Sequence, residues 1–325
     1  MPFGSPFWVV VTAVLPVLGA VVAGALMRRV NWLTAEADAS LMRVTINVFG
    51  PCLMFDSILG NRALDRLDTL LLAPTIGFGT VALGILAALL LARWAGLPDL
   101  SSRRTFAVAT GIYNYGYIPL PLALFLFDRE TAGVLFVHNV GVEMAMWSVG
   151  LVVLTGHSFR AGWRKIINVP LIAILISLLL NCTHAADALP AFVLQTARLL
   201  GQCAIPLGLV LVGATMADHA HEIRIGRANR AMVLACLLRL AALPVLFLWL
   251  AQWVPMSKEL RQVVLLQAAM PAAVFPIVMA RHYGGDAPTA LRVVVATSLA
   301  ALVTIPLWIR WGMDFLGLAW PGAAP

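Results

Sequence analysis

Charge is scarce in this sequence. Lysine, arginine, aspartate and glutamate make up 11% of its 325 residues, whereas a soluble domain uses about a quarter to cover its surface. A single large water-soluble core is therefore excluded. A bilayer is the solvent that accepts a chain that is 61% hydrophobic with a mean hydropathy of +0.92. Cysteine is sparse too: Cys52, Cys182, Cys203 and Cys236 show no CxxC spacing, which excludes a disulfide framework and a zinc site and leaves them as packing residues. There is no glycine-rich phosphate loop ending in lysine, which argues against an ATP-driven pump. Paired catalytic acids, a nucleophile beside its base and metal-ligand spacing are also missing, so no enzyme and no cofactor are expected. His219, His221 and Glu222 imitate a metal cluster, but they fall in a polar connection without helical spacing and read as a solvated loop.

The net charge is +7, yet the basic residues come singly or in pairs between apolar runs. That pattern orients membrane segments and does not build a nucleic-acid surface. The first 29 residues carry no positive charge before their apolar stretch and two arginines after it, so they read as a retained anchor, not a cleaved signal.

Crossing about 30 Å of hydrocarbon takes roughly twenty apolar residues. Ten such runs can be placed, near residues 7–27, 40–60, 69–92, 104–127, 131–155, 167–182, 190–217, 230–254, 260–280 and 288–311. Connections after the odd-numbered runs hold Arg28, Arg29, Arg43, Arg93, Arg103, Arg104, Arg160, Arg164, Lys165, Arg224, Arg227, Arg230 and Arg281. The other side holds Arg62, Arg66, Arg129, Lys258, Arg261 and Arg310. This bias of about two to one puts the odd connections in the cytoplasm. The expectation is a multi-pass protein of the inner (plasma) membrane with both termini outside, and with connections too short for a soluble domain.

Prolines inside the apolar runs recur at a nearly fixed displacement. Pro16 to Pro170 is 154 residues, while Pro51 to Pro206 and Pro121 to Pro276 are each 155, and Arg43 to Arg198 repeats the interval. Five helices per repeat is an odd number, so the second copy enters from the opposite side. The fold expected is an all-α integral membrane protein of ten transmembrane helices in two inverted five-helix repeats, residues 1–160 and 161–325.

The fourth run, TFAVATGIYNYGYIPLPLALFLF, carries Gly111, Asn114, Gly116, Pro119 and Pro121 at mid-membrane depth; the ninth, QVVLLQAAMPAAVFPIVMARHYG, carries Gln267, Pro271 and Pro276. Proline removes a helix hydrogen bond and clashes with the preceding turn, so both helices are expected to break. Unwound backbone survives in a bilayer only where protein or a water-filled cavity satisfies it. If the broken helices cross, two half-helix amino termini meet in a partly positive space suited to a carboxylate.

These same residues carry a resemblance. QAAMPAAVFPIVMARHYG is similar to the ninth-helix signature of the auxin efflux carrier family, the plant PIN-FORMED carriers and their bacterial relatives. NYGYIPLPL resembles that family's fourth helix, in which an asparagine precedes the crossover proline by seven residues, and MRVTINVFGPCLMF resembles its second. The resemblance implies a scaffold and a transport bundle, crossover prolines at Pro121 and Pro276, substrate held beside them, and Asn114 as a polar substrate contact. Plant carriers have a glutamine four residues before a helix-5 tryptophan; here that position is Glu143, before Trp147.

A carboxylate at the position of Glu143 costs roughly 2.5 to 3.5 kcal/mol if left charged in lipid. It is expected to face a polar cavity or to carry a proton part of the time, which makes proton-coupled carriage of an anion coherent. The plain alternative is a structural Glu143 bonded to His138 or Asn139. Asp56 is a second acidic candidate for coupling, and Arg239 is a costly buried cation, read first as a scaffold partner for an acid and second as an anion contact. The substrate-binding set expected is thus Asn114, Pro121, Glu143, Gln267 and Pro276.

The leading functional expectation is a secondary carrier of a small organic anion working by alternating access. Its partners are that anion, the lipid bilayer and, in a homodimer, a second copy, with no nucleic acid. Bacterial relatives imply malonate or similar carboxylates, and the plant branch implies indole acids. Two rivals stand: a sodium-coupled carrier of the bile-acid symporter type and a receptor without flux. The symporter type uses an acidic residue at helix 9 to hold sodium, whereas here Gln267 is the only strongly polar side chain before the crossover.

Overall fold

The structure is a computed structural model that describes residues 6–156, 166–185, 189–219 and 230–320. The connection holding Arg160, Arg164 and Lys165, and the one holding His221, Glu222, Arg224 and Arg227, lie outside the described residues, as does the side chain of His219.

Among the described residues the chain is all helical. Its elements are α1 (Pro6–Arg29), α2 (Ala35–Ile58), α3 (Leu67–Trp94), α4 (Leu100–Gly111), α5 (Pro119–Leu126), α6 (Arg129–Thr155), α7 (Val169–Cys182), α8 (Ala191–Asp218), α9 (Arg230–Trp253), α10 (Lys258–Ala269), α11 (Phe275–Tyr283) and α12 (Ala287–Phe315). Helices satisfy every backbone group within the segment, as a hydrocarbon solvent demands. Seven of them, α1, α2, α3, α6, α8, α9 and α12, are long and apolar enough to cross a membrane, and α7 is a shorter apolar helix. Their outer faces are apolar: Leu90 is 73% exposed, Phe192 69% and Val303 66%. Apolar surface on that scale is tolerable only against lipid.

Charged and polar side chains gather at the helix ends. Arg28 joins α1 to Asp38 of α2 and, at 3.0 Å, to Asp218 of α8. Asp99 and Asp128 cap α4 and α6 by accepting the Ser102 and Thr131 backbone N–H groups at 2.8 and 2.7 Å. The cysteines are all free; Cys182 and Cys203 are exposed and Cys52 and Cys236 half-buried, so they pack less than the sequence suggests.

Packing divides the helices into two groups. One holds α1 against α8 and α2 against α7 and the start of α8; the other holds α3 against α4 and α6, and α10 and α12 against α9, with α10 also on α6 and α12 on α4. Small residues let the tightest pairs touch backbone to backbone. In α1 and α8 these are Gly24 and Gly213; in α3 and α6 they are Gly77 and Gly141.

Proline shapes the interior helices by a consistent rule. Its ring removes the bond to the carbonyl four residues earlier, and the freed oxygen needs another donor. In α9, Leu238–Ala242 opens into a wider turn ahead of Pro244. The carbonyl thereby freed, Leu240, accepts the Trp308 indole N–H of α12 at 2.6 Å. Changing Trp308 to phenylalanine keeps most of the packing and strands this oxygen. The variant is expected to lose about 1–3 kcal/mol, read as a lower thermal unfolding midpoint in lipid nanodiscs; an unchanged midpoint would show that the bond carries no stability.

Candidate functional site

The two interrupted helices meet. Between α4 and α5 the chain leaves the helix over residues 112–118, and between α10 and α11 over 270–274. Tyr113 and Ala272 form an isolated antiparallel bridge. Around it, the Asn114 N–H donates to the Pro271 carbonyl at 2.8 Å and the Ala273 N–H to the Ile112 carbonyl at 2.9 Å. The unwound segments thus satisfy each other, as the interior of a bilayer requires. The Ala272 N–H is met at 3.2 Å by the hydroxyl of Thr297 on α12.

Side chains complete the backbone of the crossing. Pro119 leaves the Tyr115 carbonyl without a helical donor. That oxygen accepts Asn139 Nδ2 at 2.7 Å and Gln267 Nε2 at 3.2 Å. Gln267 Nε2 also lies 3.2 Å from Asn139 Oδ1, so one amide pair from α6 and α10 closes over the first break. Pro271 removes the donor four residues on from the Gln267 carbonyl, which accepts the Met270 N–H at 3.3 Å and Arg239 Nη2 at 3.2 Å.

Of the residues expected from sequence, Asn114 stands at the contact itself, 8% exposed, and its side-chain amide has no hydrogen-bond partner among the described residues. Gln267 is buried beside it, with Oε1 unpartnered among the described residues. Pro121 and Pro276 lie in the first turns of α5 and α11. A missing N–H costs nothing there, so they begin the second half-helices, while Ile112–Asn114 and Pro271–Ala273 form the contact.

Glu143 is on α6, one turn beyond Asn139. Neither His138 nor Asn139 holds it: Glu143 Oε2 accepts Asn168 Nδ2 at 2.8 Å. Asn168 caps α7 through the Leu171 N–H at 2.9 Å, so the bond links the two helix groups at a helix amino terminus, where an anion is favoured. Trp147, one further turn along α6, packs edge-on against Phe275 at 5.5 Å and Tyr283 at 6.4 Å. Asp56 is elsewhere. At the end of α2 it lies 3.5 Å from Arg129 and 3.3 Å from Arg198, in an ion-pair triad that includes neither break.

Arg239 has no carboxylate partner among the described residues, contrary to its reading as a partner for an acid. Sequence reasoning also passed over Asn139, Thr297 and the carbonyl of Tyr115 as parts of the site. The usable signal for them was the carbonyl four residues before each proline, together with polar side chains in otherwise apolar α6 and α12.

Known proteins match this sequence. A family model described as membrane transport protein matches residues 9–161 and 154–309. An uncharacterized transporter of Methanothermobacter thermautotrophicus is 26% identical over 300 residues, covering 91% of this chain and 96% of the relative. An uncharacterized transporter of Methanocaldococcus jannaschii is 24% identical over 303 residues with the same coverage. The chain belongs to the membrane transport protein family, that of the auxin efflux carriers.

Proposed function

We propose that this protein is a secondary carrier of a small organic anion, a carboxylate such as malonate or an indole acid, that binds at the crossing and moves by alternating access. The observation that carries this reading is the pairing of two broken helices through Asn114 with Pro271 and Ala273 with Ile112. Each break supplies a half-helix amino terminus, and Asn114, whose side-chain amide has no hydrogen-bond partner among the described residues, belongs to the contact between the breaks. The broken pairs α4–α5 and α10–α11 count as one span each. With the seven long helices and α7 this makes ten spans in two inverted repeats, with both termini outside. The group α1, α2, α7 and α8 is the scaffold, and the other helices rock against it.

Coupling is assigned to the proton. A protonated Glu143 accepts more weakly from Asn168, which loosens a bond between the groups; sodium coupling lacks an acidic residue at Gln267. The test is flux of labelled malonate, indole-3-acetate and other carboxylates into proteoliposomes, with proton and sodium gradients imposed separately. Flux driven by the proton gradient and made insensitive to it by Glu143→Gln is the expected result. A variant that keeps its full pH dependence removes Glu143 from coupling. Ligand binding with no flux of any carboxylate would replace the carrier by a receptor.

A further inference from the structure

Arg239 is fully buried in the wide turn of α9, and it touches both broken helices. Its NH2 donates to the carbonyls of Gln267 and Ala268 at 3.2 Å each, the last turn of α10. Its guanidinium lies 4.9 Å from the ring centre of Tyr113, the residue bridged to Ala272, and 5.3 Å from that of Phe247. The Tyr113 hydroxyl is tied in turn to Thr80 of α3 at 2.8 Å. Arg239 Nε and NH1 have no hydrogen-bond partner, and no carboxylate lies within ion-pair distance, among the described residues.

A guanidinium stays charged in a protein, and in a bilayer interior an unpaired one is costly. Aromatic faces and two carbonyls offset part of that cost. The rest of the local field is built from half-charges: positive at the starts of α5 and α11, negative at the ends of α4 and α10. Arg239 cancels the negative end of α10 and exceeds it, because a full charge faces about half of one. The crossing therefore carries one full positive charge, on Arg239, with no carboxylate within ion-pair distance among the described residues.

We propose that Arg239 sets the charge selectivity of the crossing. It is a positioning residue that acts through the Gln267 and Ala268 carbonyls, so that the substrate is bound as its carboxylate in preference to an uncharged analogue of the same shape. The inference rests on the anion-carrier reading.

The experiment measures thermal unfolding of the purified protein in lipid nanodiscs at constant ionic strength, titrated with malonate against malonamide and with indole-3-acetate against indole-3-acetamide. For the wild type, at least one acid is expected to stabilise at a tenfold lower concentration than its amide. Arg239→Gln is expected to lose this preference, and Arg239→Lys, which restores the charge, to regain it. A merely structural arginine would lower the starting midpoint and leave the acid-to-amide ratio intact, and a preference retained in Arg239→Gln overturns the proposal while leaving the carrier reading standing. If Arg239→Gln does not fold, Arg239→Lys decides: loss of the preference in that folded variant overturns the proposal. A wild type that prefers neither acid overturns both this proposal and the anion reading.

Discussion

Alanine at Gly141 is expected to unfold the protein at a markedly lower temperature, while alanine at Gly79 leaves the midpoint unchanged or slightly higher. The added methyl at position 141 would sit 1.7 Å from the Pro74 carbonyl oxygen and 2.8 Å from the Phe78 nitrogen, both backbone atoms of α3. At Gly79, on α3 itself, it meets nothing within 4 Å. Overpacking by a methyl that side-chain shifts can absorb costs about 1–3 kcal/mol. Here backbone must yield, and α3 and α6 must separate by more than an ångström, so the cost is expected at or above about 3 kcal/mol. Gly77 makes the reciprocal approach, its own methyl falling 2.2 Å from the His138 carbonyl oxygen, so the pair has no slack on either side. Position 79 gains only the better helix propensity of alanine, about 0.5–1 kcal/mol. Equal midpoints for the two variants would show that α3 and α6 are free to move apart and that the close contact is dispensable.

Gly141 also shows where sequence reasoning stops. The runs of apolar residues located the seven long apolar helices, because length and hydropathy decide what a bilayer accepts. Pro119, Pro121, Pro271 and Pro276 located both broken helices, because ring chemistry is local and independent of the rest of the fold. What those prolines do to one another is not local. The bridge between Tyr113 and Ala272 joins residues far apart in the chain, and no spacing announces it. Asn139 was visible only as a polar residue near Glu143, since its partners, Tyr115 and Gln267, come from two other helices. In the sequence Arg239 reads as an expensive buried cation that calls for an acid. Its compensation comes instead from carbonyls and aromatic rings, which sequence does not mark as partners for a cation.

The amide pair of Asn139 and Gln267 is where the fold and the proposed transport site meet most directly, and leucine at either position is expected to be among the most damaging changes to flux. Asn139→Leu leaves the Tyr115 carbonyl with one donor, and takes the acceptor from Gln267 Nε2. Gln267→Leu removes the second donor of Tyr115 and the donor to Asn139 Oδ1, while the backbone carbonyl of Gln267 stays on Arg239. Each single variant removes two buried hydrogen bonds, worth about 0.5–1.5 kcal/mol apiece. If half of a loss of about 3 kcal/mol is felt in the loaded crossing, flux falls roughly tenfold, at about 1.4 kcal/mol per decade. The two single variants share one bond, but each leaves the Tyr115 carbonyl a donor and only the double variant strands it. The double variant is therefore expected to be more impaired than the sum, with a coupling energy of about 1–2 kcal/mol. Proteoliposome flux normalised to inserted protein, together with unfolding midpoints, measures both terms. Strict additivity would mean that the Tyr115 carbonyl does not depend on the two amides jointly, and would overturn their reading as one unit closing the break.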